Sequence, residues 1–159
     1  MKKQLKSFGC AIKGFCGAVC DEGHLRFHLV AAAYVLAFSA FYDFSAAQTV
    51  VLILLIASVI AAELFNTALE NACDAVTREN NDSIRRAKDI SAGAVLVLSA
   101  AAVAAAVIFF WDADVIKCIF FYFARNIHML IILIISAVIS FFFVLLGPRG
   151  IAGLIKKHF

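Results

Sequence analysis

Glu63, Asn66, Glu70 and Asp74 stand in the stretch AAELFNTALENACDAV, at the end of a long apolar run, and are spaced by three, four and four residues. At helical periodicity the four fall within an arc of roughly 80° on one face. Ionisable groups are costly to hold at membrane depth, and where they occur they mark functional sites. Carboxylates are hard oxygen ligands, and magnesium commonly takes one or two of them together with phosphate oxygens and water. A further carboxylate beside the metal can orient or deprotonate a hydroxyl. Together these are the parts of a metal-assisted phosphoryl transfer from a nucleotide such as ATP. Lys88 and Asp89 precede another apolar run. The lysine could neutralise phosphate, and the aspartate could cap a helix or bind a ribose or metal. Glu22 offers one more carboxylate from the first segment. Neither G-x-x-x-x-G-K-[ST] nor G-x-G-x-x-G is present, so the usual soluble kinase architectures are excluded. From spacing alone, an ion pathway and a helix-pairing stripe are also open readings.

The elements that position these groups follow from composition. The chain has 159 residues, 64% of them hydrophobic and 16% charged, with a mean hydropathy of +0.97. A soluble domain would be about 45–50% apolar, so an integral membrane protein is predicted. Long apolar runs without turn-rich alternation predict helices and not a barrel. Residues 1–24 carry Leu5, Phe8, Ile12, Phe15 and Val19 at helical spacing, with Lys2, Lys3, Lys6 and Lys13 between them. This predicts an amphipathic helix lying on the membrane. No apolar run directly follows the first lysines, so a cleaved signal peptide is not expected. Spans are predicted at 25–42, 46–74, 90–111 and 127–146. The first is short enough to need Arg26 and His28 to snorkel. The polar segment 77–89 belongs in water. Trp111 ends the third span at the interface, and Gly147 and Pro148 stop the fourth. Residues 112–126 are mixed in character. Cys16 and Cys20 lie one helical turn apart without a neighbouring ligand set, so the five cysteines read as reduced small apolar residues.

Charge sets the topology. With four spans, the N-terminal lysines, Arg78, Arg85, Arg86 and Lys88, and the tail with Arg149, Lys156 and Lys157 share one side. Asp43, Asp112 and Asp114 lie on the other, with Lys117 and Arg125 as exceptions. The positive-inside rule makes the basic side cytoplasmic, which puts Glu70 and Asp74 where nucleotide is found.

Four motifs now align in order: KSFGCAIKGF at 6–15, E-x-x-x-R-x-H at 22–28, AAELFNTALENACD at 61–74 and RRAKDISAGAV at 85–95. In type and spacing they resemble the small prokaryotic membrane lipid kinases, the diacylglycerol kinase and undecaprenol kinase family. The resemblance covers about residues 5–111. It implies an all-α integral membrane fold with an interfacial helix and a three-helix transmembrane kinase core, here at 1–111. The segment 112–159, with a fourth transmembrane helix, has no counterpart in the minimal family fold. It further implies transfer of the γ-phosphoryl of ATP to a lipid hydroxyl with Mg2+. Glu63 matches the catalytic carboxylate, and Glu22 and Glu70 match the magnesium ligands. Glu22, Asn66, Glu70, Asp74, Glu79, Lys88 and Asp89 match nucleotide or active-site positions. Arg26, His28, Leu64 and Gly93 are candidate lipid contacts, and Arg26 and His28 also read as interfacial anchors. A homotrimer with active sites between subunits, a bacterial cytoplasmic membrane location and no nucleic-acid partner are expected. The S-F-x-x-A-x-K-G start and the R-x-H-L-V-A-A run favour undecaprenol as acceptor, with diacylglycerol as the alternative. A non-catalytic or transport protein is the remote alternative. Departures from the family pattern are Cys10 in place of a common Tyr, His24 in place of an amide, and Asn80 and Asn81 in place of Tyr-His.

Overall fold

The computed structural model describes residues 2–76 and 81–158, and the side chains of 3–76 and 81–153. The described residues form six helices and no strand: α1 Lys2–Asp21, α2 Gly23–Ser39, α3 Ala46–Val76, α4 Asp82–Phe110, α5 Ala113–Arg125 and α6 Ile127–His158. Three of them, α3, α4 and the part of α6 up to Gly153, are long and apolar enough to cross a membrane. Their large apolar side chains face outward, among them Ile53, Leu54, Val97, Ile108, Ile131 and Ile139. The buried residues, by contrast, include Arg26, Glu63 and Thr67 beside Leu25, Ala32, Leu52 and Val59. A chain in lipid has no reason to hide apolar atoms, so its interior can hold polar groups with work to do.

α3 is the spine. It begins at Ala46 and continues past the apolar run through the acidic face to Val76 without a break. At 1.5 Å per residue Glu63 lies about 26 Å along the axis from Ala46, and Asp74 about 42 Å. A hydrocarbon layer is about 30 Å thick. The acidic face therefore starts near one edge of that layer and ends well beyond it. α4 packs antiparallel along α3, while α2 packs on α3 and α6. Only the C-terminal part of α1 is covered. Leu5, Phe8 and Ile12 are exposed, which leaves the apolar stripe of α1 directed away from the bundle.

Several expectations are corrected. The first span was expected to reach residue 42, but α2 ends at Ser39, where Phe41 and Tyr42 donate turn hydrogen bonds to Phe38 and Ser39. Its 17 residues give a length of about 26 Å, short of the hydrocarbon layer. Arg26 does not snorkel; it is 6% exposed and turned into the protein. α4 starts at Asp82, not at residue 90, because Asn81 caps it by accepting from the Ser83 and Ile84 amides. Asp89 is consequently not the helix cap. The mixed segment after Trp111 is a helix, α5, capped by Asp112 through the Asp114 and Val115 amides. There Lys117 pairs with Asp114 at 3.1 Å. Gly147 and Pro148 do not end α6 but break it. Gly147 takes φ 64° and ψ 173°, and the helix resumes after it. Glycine tolerates that backbone, and proline suits the first position of the new turn.

Candidate active site

The antiparallel α3–α4 pair brings the acidic face opposite the polar start of α4. Asn66 Nδ2 donates to Glu70 Oε1 at 3.1 Å, and Ser91 Oγ lies 2.6 Å from Asn66 Oδ1 and 2.9 Å from the Lys88 carbonyl. A hydroxyl has one proton, so Ser91 serves those two acceptors in turn. These contacts fix which way the Asn66 carboxamide points and leave Glu70 with one carboxylate oxygen uncommitted among the described residues. One turn further out, the Lys88 ammonium pairs with Asp74. The hydrogen bond it donates to Asp74 holds this ammonium above the ordinary lysine range, opposed by partial desolvation and aided by the charges of Asp74 and Glu70.

Glu63 sits one turn deeper and is 4% exposed. Among the described residues its carboxylate makes no hydrogen bond. It lines a groove of about 400 Å³ with Asn66, Glu70, His24, His28 and Ser99. His24 and His28, one turn apart on α2, thus face the acid from the side opposite α4. An apolar cavity of about 260 Å³ lies between α2, α3 and α4. His28 and Ser99 line both spaces. Ser99 Oγ is buried at this boundary with no hydrogen-bond partner among the described residues.

The remaining predicted residues are distributed more widely. Glu22 and Leu64 line a different groove, of about 620 Å³, between α1 and α3, with Asp21, Thr67 and Asn71. Within one chain, then, Glu22 does not share the groove that holds Glu63 and Glu70. Asp89 is exposed and Gly93 half-buried, and a side chain added at Gly93 would meet nothing within 4 Å. Arg26 faces the α1–α2 joint, where Nε and Nη1 bond to backbone carbonyls. Glu79 lies outside the described residues. All five cysteines are free thiols.

Sequence reasoning passed over Ser91 and Ser99. Both were findable by helical phase, since 88, 91, 95 and 99 repeat at the spacing of one face, and Lys88 already marked that face. Neither serine stands out by residue type, because serine is common in membrane helices as a partner for its own backbone.

A sequence model of prokaryotic diacylglycerol kinase matches residues 9–110. The chain belongs to that family. Its relatives include the undecaprenol kinase of Bacillus subtilis, 32% identical over 99 residues, which is 62% of this chain and 80% of the relative. The diacylglycerol kinase of Escherichia coli K12 is 30% identical over 93 residues, covering 58% of this chain and 76% of the relative. Every group in the Glu63 groove lies within the matched region. The lipid-kinase family assignment and the α3–α4 polar network thus fall on the same residues, while α5 and α6 lie beyond the match.

Proposed function

We propose that this protein transfers the γ-phosphoryl of ATP to the terminal hydroxyl of a membrane polyprenol, undecaprenol in the first instance. The observation that carries this reading is that the Glu63 groove and the apolar cavity are neighbours, both lined by His28 and Ser99. An alcohol at the head of an apolar chain fits that arrangement. The first carbons enter the cavity, the remainder lies in lipid, and the hydroxyl reaches the buried acid.

In this reading Glu63 accepts the hydroxyl proton as the oxygen attacks phosphorus. Asn66, locked by Ser91 and Glu70, orients the phosphates. Lys88, fixed by Asp74, adds positive charge at the outer end, where the nucleotide enters from the cytoplasmic side. Among the described residues no three His, Cys, Asp or Glu side chains cluster tightly enough to hold a metal by themselves. That fits magnesium, which is commonly held by one or two carboxylates and completed by phosphates and water. Glu70 has the free oxygen such a site needs, and Glu22 would join it from a neighbouring subunit in a homotrimer. When bound, the ion would neutralise charge on the transferring phosphoryl group.

Diacylglycerol is the second reading, supported by the Escherichia coli relative of that name. The deciding experiment offers undecaprenol and diacylglycerol in parallel to purified protein with labelled ATP and magnesium. Preferred labelling of undecaprenol is expected. Preferred labelling of diacylglycerol selects the second reading, and labelling of neither overturns both.

A further inference from the structure

We propose that the break in α6 is a socket that positions the α1–α2 joint, with Arg26 and Gly147 as positioning residues that set the direction of the Glu22 carboxylate. The proposal rests on the reading of Glu22 as a metal ligand. Glu22 is the single extended residue between α1 and α2, at φ −103° and ψ 118°. It occupies the N-cap position of α2, yet its side chain makes no capping bond. Nothing local aims its carboxylate, so the angle between the two helices must.

That angle is held by a buried guanidinium. Arg26 Nη1 donates to the Val19 carbonyl at 2.9 Å and the Cys20 carbonyl at 3.1 Å, and Nε donates to the Val144 carbonyl at 3.1 Å. These carbonyls belong to the last turn of α1 and the last turn of α6 before its break, where no intrahelical donor is available. Among the described residues no carboxylate pairs with Arg26. Its charge is met by the negative ends of two helix dipoles. An arginine suits this role because its planar fork reaches several acceptors at fixed angles, which a lysine ammonium cannot reproduce.

Gly147 is required twice at this point. Its φ of +64° is strained for any side chain, and a Cβ there would come within 2.8 Å of Arg26 Nη1 and 2.9 Å of Cζ. A methyl group would push the guanidinium off its carbonyls. Just beyond the break Arg149 pairs with Asp21, the neighbour of Glu22. α6 also meets α2 further along, where the Tyr34 hydroxyl lies 2.9 Å from Ser136 Oγ. The helix that closes the socket lies wholly outside the region matched to the family, 9–110. This chain therefore adds its own brace to a joint that carries an active-site carboxylate.

The test compares full-length wild type with R26M, R26K, G147A and E22Q. Two quantities are measured: the magnesium concentration for half-maximal activity, and hydrogen exchange of residues 17–25 in metal-free protein. Loss of a group that orients a metal ligand typically weakens metal binding by about 10- to 100-fold. R26M and G147A are expected to raise the magnesium requirement by that order, with R26K between them and wild type and the acceptor-lipid KM unchanged. Exchange at 17–25 should quicken in R26M and G147A while α3 and α4 keep their protection. If E22Q impairs magnesium dependence but R26M and G147A leave both measurements at wild type, the socket proposal is overturned alone. If R26M and G147A lose protection throughout the protein, Arg26 only holds the fold and the positioning role is likewise overturned. A wild-type magnesium dependence in E22Q would remove the metal reading of Glu22 and the proposal with it.

Discussion

Replacing Glu63 by Gln tests the centre of the proposed site, and its two effects have opposite signs. The substitution is nearly isosteric at a side chain only 4% exposed, so packing is conserved and no cavity forms. Gln cannot take a proton from an attacking hydroxyl. A positioned general base is worth about 10²- to 10⁴-fold in rate, or about 3–5 kcal/mol of barrier. Stability should move the other way or not at all. A buried carboxylate without partners costs several kcal/mol to hold, whereas an unsatisfied buried amide costs about 1–3 kcal/mol. The measurements are initial rates of phosphoryl transfer from labelled ATP at saturating magnesium and lipid, and thermal unfolding in the same detergent. The expected variant is inactive by at least about 100-fold and melts no lower than wild type. A rate within a few-fold of wild type would refute the base assignment. A rate loss accompanied by an equal collapse of the melting temperature would show that Glu63 is needed for folding instead.

Other outcomes follow from the same geometry. Ser91→Ala removes the donor that fixes the Asn66 carboxamide; a lost hydrogen bond of about 1 kcal/mol predicts roughly a fivefold fall in kcat/KM for ATP, and an unchanged value would remove Asn66 from the nucleotide site. Because Asp74 raises the Lys88 pKa, the contribution of the pair is fully present below the ordinary lysine value of about 10.4 and is lost as pH rises through the raised one. Lys88→Met should therefore depress ATP affinity evenly between about pH 6 and pH 9, and a difference that fades within that window would contradict the pairing. Ser99→Ala deletes a buried hydroxyl with no partner among the described residues and should stabilise the apo protein by about 1 kcal/mol while raising the lipid KM. Unfolding scans and lipid titrations check the two halves separately, and an unchanged lipid KM would detach the apolar cavity from the acceptor.

The parts of this protein that could be read from sequence are those governed by one helix at a time. The apolar run from Ala46 and the acidic phase from Glu63 to Asp74 share a single uninterrupted helix, so periodicity located both. The start of α4 was misplaced because residues 82–89 are too polar to show an apolar stripe. The usable signal there was Asn81 ahead of Asp82 and Ser83, a capping signature. α5 is hard to place from sequence because its uninterrupted apolar run, 118–124, is far too short for a span. Arg26 shows the other limit. Its type and position suggested an interfacial anchor, but its acceptors include a carbonyl 118 residues away, and no local pattern carries that information. Gly147-Pro148 was read as an end because those residues usually close helices, yet proline also opens them. Which reading holds is decided by what packs against the glycine.

The distribution of polar groups with depth bears on the rival reading of the acidic stripe as an ion pathway. A pathway needs polar or ionisable groups at intervals through the bilayer. Here the ionisable groups of the stripe, from Glu63 to Asp74 on α3 with Lys88 on α4, gather at one end, and the next charged side chains, Asp43, Asp112, Asp114, Lys117 and Arg125, stand at the other. At the opposite end of the described bundle aromatic rings pack together, with Tyr42 against Phe110, Phe44 against Phe109 and Phe41 against Tyr122. Between the two ends the hydroxyls are mostly turned inward on the protein itself: Ser58 to the Leu54 carbonyl at 2.7 Å and Tyr34 to Ser136 at 2.9 Å. Ser99 is the exception among the described residues, and it lines both the polar groove and the apolar cavity. An ion moving inward from Glu63 would meet an almost wholly apolar lining. A long-chain alcohol would find its hydroxyl at the acid and its tail in that same space, and this asymmetry favours phosphoryl transfer at the membrane surface over passage through the membrane.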